Sequence, residues 1–551
     1  MIKKSPLQIA REQYVPKLPK ALKGNVKIVE GEKTVSVADQ EDIKNMFPNT
    51  YGLPVIRFEE TDSSTDYDAV NVGVILSGGQ APGGHNVISG LFDGLKKCNP
   101  DSKLYGFLGG PSGLVDNEYI DITSEIIDEY RNTGGFDIIG SGRTKLEETS
   151  QFDQVKANCE KLNVKAIVII GGDDSNTNAC VLAEYFASIG SDIQVIGAPK
   201  TIDGDLKNEV VETSFGFDTA CKVYSELIGN IQRDANSAKK YYHFIRLMGR
   251  SASHIALECA LSTQPNITII SEEVEKKEMT LDQVVEYISD IIAKRAEKGF
   301  NFGSILIPEG VVEFIPAIKK LISELNDLLS KYEDEIKDIE SDAAKREFVA
   351  SKLSEASAKE FGGLPDSFAN QLMEDRDPHG NVQVSRIETE KLLIDMVDAK
   401  LKSMKEAGKY VGEFSGLGHF FGYEGRCAAP SNFDADYCYA LGNTASLLIS
   451  EGKTGYMASV KNLTKSSDEW LPGGAPITMM MNMERRHGEM KPVIQKALVE
   501  LDGNPFKELV KNREEWAMTT SYIYPGPIQY FGPAEVADVT TQTLILEQQG
   551  K

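Results

Sequence analysis

The sequence predicts an α/β fold made of two doubly wound, mostly parallel-sheet domains, with a helical insertion and with N- and C-terminal extensions. At 551 residues, and with roughly 150 residues per domain, the chain is long enough for several domain-sized cores. Short Val/Ile-rich runs that end in Gly or Pro recur along the chain and alternate with amphipathic segments of helical spacing. Such apolar runs are typical of strands buried on both faces of a parallel sheet.

The strand, loop and helix pattern starts at NVGVIL, which is followed by a glycine-rich loop and by the amphipathic run HNVISGLFDGLKK. Similar runs occur in AIVIIGG, QVIGAPK, HFIRLMG and GSILIPEG. In open α/β sheets, ligands bind at the carboxyl ends of the strands. We therefore expect the polar loops SGGQAPGG, GGDDS, PKTIDGD, MGRSASH and PEG to lie at such edges.

Changes in pattern predict the domain boundaries. The first part of the chain lacks clear periodicity, and a later stretch has apolar residues at helical spacing with charges on its other faces. The predicted divisions are an N-terminal extension at 1–70, one α/β domain at 71–205 plus about 425–475, a second at 206–424 with a helical insertion at about 315–405, and a C-terminal extension at 476–551 packed on the body.

Composition excludes several classes of partner. The chain has 59 Lys plus Arg against 83 Asp plus Glu, a net charge of −24, which argues against nucleic acid or an anionic membrane as partner. No run approaches the ~18 apolar residues of a membrane helix, and the N-terminal stretch lacks the apolar core of a secretory signal. We expect a cytoplasmic protein. Its seven cysteines are widely spaced without a C-x-x-C pair, so we expect most of them to be buried apolar residues.

Two segments carry candidate phosphate ligands. In SGGQAPGGHN, glycines including Gly79 would let backbone N–H groups approach an anion, with the positive end of the following helix nearby. A tight strand-to-helix turn is the alternative. In FDIIGSGRTKLEE, Arg143 and Lys145 follow an apolar run that predicts a strand, and they are either phosphate ligands or a surface pair.

Two further loops carry paired carboxylates. Asp173 and Asp174 are adjacent where an apolar strand meets a glycine turn, where both would repel a phosphate unless one of them holds a cation and the other excludes a ligand. Asp203 and Asp205 of PKTIDGDL would share one side of an extended segment. A carboxylate there is suited to accept a hydroxyl proton in phosphoryl transfer, although Asp-Gly-Asp is also a good turn sequence.

Other loops supply groups suited to a sugar phosphate. Arg250 of MGRSASH would face the sheet edge, Glu309 of PEG suits sugar hydroxyls, and GYEGR contains Tyr423 and Arg426. The lone histidines have no metal-ligand spacing, and we expect structural roles for His85, His254 and His419.

The segment LPGGAPITMMMNMERRHGEMKP has four Met within five residues and two arginines, Arg485 and Arg486. Met fills irregular gaps in a core, so we expect packing near the active cleft. Whether either arginine contacts substrate stays open at this point.

Taken together and in this order, these loops resemble the phosphofructokinase family over about residues 70 to 470, most closely its long pyrophosphate-dependent branch. The resemblance implies a phosphofructokinase-like fold and reversible phosphoryl transfer from pyrophosphate to the 1-hydroxyl of D-fructose 6-phosphate, giving fructose 1,6-bisphosphate and phosphate. It also implies Mg²⁺ as cofactor, a homodimer, and a place in glycolysis or gluconeogenesis. By the same resemblance, residues 71–205 plus about 425–475 form a donor domain for pyrophosphate and Mg²⁺, and residues 206–424 form a sugar-phosphate domain.

The resemblance assigns roles residue by residue. It makes Asp203 the base that takes the hydroxyl proton, supported by Thr201 and Asp205, and it makes Asp173 the magnesium ligand. The expected pyrophosphate-binding residues are Gly79, Arg143 and Lys145. The expected fructose 6-phosphate residues are Met248, Gly249, Arg250, Glu309, Tyr423, Glu424, Gly425 and Arg426, with Lys240 and Tyr241 reaching the site of a second subunit.

Two positions bear on the choice of donor. Where ATP-using relatives have glycine, this chain has Asp174, whose bulk and charge would clash with an α-phosphate but not with the shorter pyrophosphate. Lys200 likewise replaces a glycine, and it can stabilise charge on the transferring group. The alternatives are an ATP-dependent phosphofructokinase, a non-catalytic regulatory subunit, and a lipid or NAD kinase, which would lack the TIDGD and MGR combination.

Overall fold

The computed structural model describes residues 4–374, 386–486 and 489–549, which form two compact units. As far as they are described, residues 1–223, 423–497 and 528–551 make up the first unit, and residues 224–422 and 498–527 make up the second. The assignment of a donor domain and a sugar-phosphate domain stays a prediction.

The described strands are, in chain order, β1 (Asn25–Lys33), β2 (Pro54–Thr61), β3 (Asn71–Ser77), β4 (Lys103–Phe107), β5 (Tyr119–Ile122), β6 (Ser141–Gly142), β7 (Val164–Gly171), β8 (Gln194–Thr201), β9 (Phe215–Gly216), β10 (Tyr242–Leu247), β11 (Ile267–Thr268), β12 (Gly303–Pro308), β13 (Gly416–Phe421), β14 (Tyr456–Lys461), β15 (Leu471–Pro476), β16 (Met481–Arg486) and β17 (Glu489–Ile494).

The described α-helices are α1 (Pro6–Glu12), α2 (Lys20–Lys23), α3 (Gln40–Met46), α4 (Gly84–Cys98), α5 (Pro111–Asp116), α6 (Ser124–Tyr130), α7 (Thr149–Lys161), α8 (Asp173–Ser188), α9 (Phe217–Ala238), α10 (His254–Thr263), α11 (Ser271–Lys276), α12 (Leu281–Glu297), α13 (Pro316–Lys331), α14 (Glu333–Lys337), α15 (Asp342–Lys352), α16 (Glu355–Gly363), α17 (Asp366–Met373), α18 (Thr389–Glu406), α19 (Tyr423–Arg426), α20 (Asn432–Ser450), α21 (Asn504–Met518), α22 (Ala534–Ala537) and α23 (Gln542–Gln548).

The first unit is built on a mixed sheet in the order β1-β2-β15-β14-β8-β7-β3-β4-β5, with β6 beside β3 and β9 beside β8. Neighbours from β14 to β4 run parallel, and the outer pairs are antiparallel. The predicted α/β class with mostly parallel strands is confirmed. Residues 1–70, in which we recognised no periodicity, contribute the two strands β1 and β2 at one end of this sheet.

Helices cover the centre of this sheet on both faces. Ile167 and Ile169 of β7 pack in one core with residues of α7 and α8, so the alternate residues of the strand point to the other face. There α4 and α20 cross at a pair of glycines. A Cβ on Gly90 would lie 2.2 Å from the carbonyl oxygen of Tyr439, and one on Gly442 would lie 2.2 Å from that of Val87. The missing side chains at these two glycines therefore let α4 and α20 pack in close contact.

The second unit contains a smaller parallel sheet in the order β11-β12-β10-β13. Its apolar core joins buried strand residues such as Phe244 and Ile305 to α12, α13 and α18. The predicted helical insertion is helical over α13 to α18, apart from residues 375–385, which lie outside the described residues. Within it, the charge-rich residues 331–347 are mostly exposed.

Candidate functional site

The glycine-rich loop between β3 and α4 lies under the side chain of Arg426. Gly78 has φ +83°, in the left-handed region that favours glycine. A Cβ on Gly79 would lie 1.3 Å from Nη2 of Arg426, so a larger residue there would displace the guanidinium. Nε of Arg426 donates to the carbonyl oxygen of Gln80 at 3.1 Å. The absence of a side chain at Gly79 is therefore what lets this cation rest on the loop.

Lys200 is a buried cation between two of the predicted loops. It is the second-last residue of β8 and is only 6% exposed. Its ammonium lies 3.3 Å from a Cβ built on Gly78 and 4.0 Å from one built on Gly172. The pKa of Lys200 is lowered to about 8, mainly by burial and also by the positive charges of Arg426 and Arg143, while Asp203 and Asp173 oppose the shift. The lysine therefore loses its proton more easily than an exposed lysine does.

The paired aspartates that follow β7 open helix α8, with Gly172 at the N-cap. Carboxylates in a first helical turn are stabilised by the positive end of the helix. Oδ2 of Asp173 lies 3.5 Å from Nζ of Lys496, and 24% of its side chain is exposed. Asp174, the next residue, is exposed to solvent. The hydroxyl of Ser175 donates to that of Ser77 at 2.8 Å, which ties this helix start to the end of β3.

The loop TIDGD bends, in line with the turn alternative and not with an extended segment. The backbone N–H of Asp203 donates to Oγ1 of Thr201 at 3.0 Å, and Gly204 has φ +73°. The alternation that would put both carboxylates on one side is therefore broken at Gly204. Asp203 is half-buried and Asp205 is buried. The pKa of Asp205 is raised to about 7, mainly by burial and also by the neighbouring carboxylates of Asp203 and Asp173.

The segment with Arg143 and Lys145 also differs from the prediction. The apolar run 136–140 forms turns, and only Ser141 and Gly142 pair with the end of β3, as β6. Arg143 is exposed and Lys145 is half-buried. The charge of Arg143 acts on the pKa of Lys200, so the arginine does lie within electrostatic reach of the predicted donor site.

Within the first unit, direct contacts and electrostatic effects link eight groups. Seven were predicted site residues, and Lys496 was missed. The seven are Gly79, Arg143, Asp173, Lys200, Asp203, Asp205 and Arg426, the last of which was predicted as a sugar-phosphate residue and contacts the glycine loop. In α19, Tyr423 and Glu424 are exposed and Gly425 is buried.

In the second unit, the ends of β10 and β12 bring other predicted residues together. The N–H of Gly249, a residue with φ +123°, donates to Oε1 of Glu309 at 3.4 Å. Glu309 is 3% exposed, and a Cβ on Gly310 would lie 2.0 Å from the carbonyl oxygen of Arg250. Met248 is buried, whereas Arg250 is exposed.

Lys240 and Tyr241 lie at the opposite end of the same strand. Both are exposed and directly precede β10, whereas Met248 follows its last residue. Six strand residues at ~3.3 Å each separate the two groups by about 20 Å. Within one chain, Lys240 and Tyr241 are therefore remote from the residues at the carboxyl ends of β10 and β12.

The remaining candidates have structural surroundings. His85 is buried, and its Nδ1 lies 2.8 Å from Oγ1 of Thr133. His419 pairs with His243 at 2.9 Å, and His254 is buried. In the described part of the chain, no three His, Cys, Asp or Glu side chains form a group that could hold a metal ion. Five of the seven cysteines are buried, as expected.

The methionine-rich segment is part of the core. Met479, Met480 and Met481 are buried in the cluster that contains Ile477 and residues of α7 and α8. This confirms the predicted packing role of these residues. Arg485 is exposed, and the side chain of Arg486 lies outside what the structure describes.

The fold and these groups are typical of α/β proteins that bind phosphate at the carboxyl edge of a parallel sheet. A family model described as Phosphofructokinase matches residues 71–357. A pyrophosphate–fructose 6-phosphate 1-phosphotransferase of Porphyromonas gingivalis is 62% identical, over 99% of this chain and 99% of that protein. One of Treponema pallidum is 55% identical, over 98% of this chain and 97% of its own length. The chain belongs to the phosphofructokinase family.

Among solved structures, a pyrophosphate-dependent phosphofructokinase of Nitrosospira multiformis matches with a TM-score of 0.54 and 15% identity, over 86% of this chain and 97% of that one. At that identity the likeness supports the fold alone. Of the helices that the structure describes, none combines the length and apolar character of a membrane span.

Proposed function

We propose that this protein transfers a phosphoryl group from pyrophosphate to the 1-hydroxyl of D-fructose 6-phosphate, reversibly, releasing fructose 1,6-bisphosphate and phosphate. The observation that carries the proposal is the buried cation Lys200, set between the loops of Gly78 and Gly172 and within reach of the carboxylate Asp203. A cation and a base so placed suit phosphoryl transfer, in which positioning and charge stabilisation supply most of the catalysis. The names and the high identity of the full-length relatives support the same reaction.

In this proposal Asp203 takes the proton from the 1-hydroxyl of fructose 6-phosphate. The oxygen of that hydroxyl attacks the nearer phosphorus of pyrophosphate. The bond to the bridging oxygen breaks, and phosphate leaves. Lys200 and Arg143 stabilise the negative charge on the transferring and leaving groups. Met248, Gly249, Arg250, Glu309 and the residues from Tyr423 to Arg426 hold the sugar phosphate. Transfer is direct, without a phosphoenzyme.

Asp173 would hold Mg²⁺ together with oxygens of pyrophosphate. Mg²⁺ in such enzymes is held by one or two carboxylates plus substrate phosphates. The carboxylate of Asp173 suits this role because it is partly exposed and already lies near a cation, the ammonium of Lys496. When bound, the ion supplies charge neutralisation on the pyrophosphate. We also infer a cytoplasmic homodimer in which Lys240 and Tyr241 serve the partner's sugar-phosphate site, a role that suits their position at the far end of β10.

Initial rates with fructose 6-phosphate and Mg²⁺, with pyrophosphate or ATP as donor, test the proposal. Activity with pyrophosphate alone is the expected result. Activity with ATP alone would overturn the donor assignment, and activity with neither donor would favour a regulatory subunit. Light scattering of the pure chain tests the dimer.

The donor preference has its own expected result. The double change Asp174→Gly and Lys200→Gly should allow measurable ATP use and strongly reduce pyrophosphate use, because it removes the charge and bulk expected to repel an α-phosphate. The readout is the ratio of kcat/KM for the two donors. As a matched control, Asp192→Gly with Lys453→Gly, both outside the predicted site, should leave that ratio unchanged. If the first double variant gains no ATP use, the account of donor choice through Asp174 and Lys200 is incorrect.

A further inference from the structure

The segment that follows β17 is fastened to the candidate donor site by its backbone. The N–H of Ile494 donates to Oγ1 of Thr177 on α8 at 3.2 Å. The N–H of Gln495 donates to the carbonyl oxygen of Met480 at 2.8 Å, and that of Ala497 to the carbonyl oxygen of Asp205 at 2.8 Å. These three bonds flank Lys496 on both sides, so its Cα is held at the start of α8 and at the TIDGD loop.

The side chain of Lys496 faces the carboxylates of the site. Its ammonium lies 3.5 Å from Oδ2 of Asp173, with 30% of the lysine side chain and 24% of the aspartate side chain exposed. The same charge opposes the rise in the pKa of Asp205. Lys496 therefore neutralises part of the negative charge that Asp173, Asp203 and Asp205 place where a pyrophosphate is proposed to bind.

Pyrophosphate carries several negative charges and must approach these carboxylates closely if the proposed function holds. One of these carboxylates, Asp173, lies in the first turn of α8 and is partly exposed. The side chain of Lys496 is partly exposed and its backbone is held by the flanking hydrogen bonds, so the ammonium can turn towards a phosphate oxygen at a small cost in conformational entropy. Hydrogen bonds between ionised groups are stronger than neutral ones. Once a divalent cation is held at Asp173, Lys496 loses that partner.

We propose that Lys496 is a pyrophosphate-binding residue, and that in the free protein it occupies the cation position at Asp173. This inference rests on the proposed function. It predicts two opposite effects for Lys496→Met. Pyrophosphate affinity falls because a charge-assisted contact is lost, whereas affinity for a divalent cation alone rises because a competing cation has been removed from Asp173.

The test uses the full chain with calorimetry and electron paramagnetic resonance. Pyrophosphate titrated in the presence of Mg²⁺ should bind Lys496→Met about 10- to 100-fold more weakly. Mn²⁺ titrated alone should bind that variant several-fold more tightly than the natural protein. Fructose 6-phosphate affinity should be unchanged, which distinguishes the expected effect from general misfolding. Lys496→Arg should keep most of the pyrophosphate affinity.

Lys453→Met is the matched control. Lys453 also pairs with a carboxylate, that of Glu30 at 2.8 Å, and its side chain is 24% exposed, but it lies near the first residues of β8, the end of the strand away from the site. Both affinities should be unaltered in this variant. Lys496→Gln serves as a second variant if Lys496→Met does not fold.

An unchanged pyrophosphate affinity or an unchanged Mn²⁺ affinity in folded Lys496→Met or Lys496→Gln would overturn the inference. A natural protein that binds fructose 6-phosphate but not pyrophosphate would instead overturn the proposed function. The two failures are therefore distinguishable.

Discussion

Asp203→Asn should lower kcat by about 10²- to 10⁴-fold, the usual contribution of a positioned general base. Asparagine keeps the size of the side chain and the backbone N–H that donates to Thr201, but it cannot take a proton from the sugar hydroxyl. The loss should occur in both directions, because the same group returns the proton in the reverse reaction. Steady-state rates with pyrophosphate and with phosphate measure the two directions.

The affinities separate this loss from a structural effect. Calorimetry should give Kd values for fructose 6-phosphate and pyrophosphate within a few-fold of those of the natural protein. Asp121→Asn, an exposed change on β5 outside the site, should leave kcat unaltered. A variant of Asp203 that retains more than a tenth of the natural kcat would show that another group accepts the proton.

Lys200→Met should be nearly inactive and, at neutral pH, more stable than the natural protein. Removing one preorganised charge that acts on the transition state costs about 10²- to 10³-fold in kcat. Stability rises because the ammonium is buried, and a methionine of similar length leaves no charge to desolvate. Activity and stability therefore change in opposite directions.

The stability effect should depend on pH in a defined window. Because the pKa of Lys200 is lowered to about 8 in the folded protein, against ~10.4 in an unfolded chain, the protonated lysine destabilises the fold below about pH 8 by on the order of 3 kcal/mol. That cost disappears as the pH rises from about 8 to about 10.4, where the unfolded chain also releases the proton. The advantage of Lys200→Met should be greatest below pH 8 and shrink above it.

Thermal melts of the full chain at several pH values check this expectation. The comparison uses Tm differences between variants, since a chain with two compact units need not unfold in one step. Lys453→Met, whose lysine is in an ordinary ion pair, provides the control and should show no such trend. Equal or lower stability of Lys200→Met at pH 7 would mean that Asp173 and Asp203 stabilise the ammonium more than burial destabilises it.

The parts of the fold and site that follow from local pattern were predictable. Apolar runs that end in glycine predicted β3 and β7 and the polar loops after them. This pattern is visible in the sequence because a buried parallel strand has apolar side chains on both faces and is followed by a tight turn. The resemblance of those loops to one family then assigned residues such as Asp173 and Lys200. The confirmed α/β fold rests on the same regularity.

The failures each have a local or a long-range cause. The run 136–140 has strand composition but forms turns, so only two residues of β6 pair with β3. For Asp203 and Asp205 the sequence left a turn and an extended segment open, and the left-handed glycine between them decides for the turn. Lys496 lies far from Asp173 along the chain, and no local pattern shows that the backbone after β17 is fastened to α8. Only the folded structure brings these residues together.

The two strands contributed by residues 1–70 bear on the solubility of the chain. In the sheet order, β2 pairs with β15, and β1 pairs with β2. Without β1 and β2, the sheet would end at β15, which has five of its six residues buried. An edge strand has unpaired backbone donors and acceptors, which invite pairing between chains and aggregation. With β1 and β2, the sheet ends at β1, where charged residues such as Lys27 and Glu32 are exposed. The N-terminal stretch thus covers the edge of β15 and replaces it with a charged edge strand.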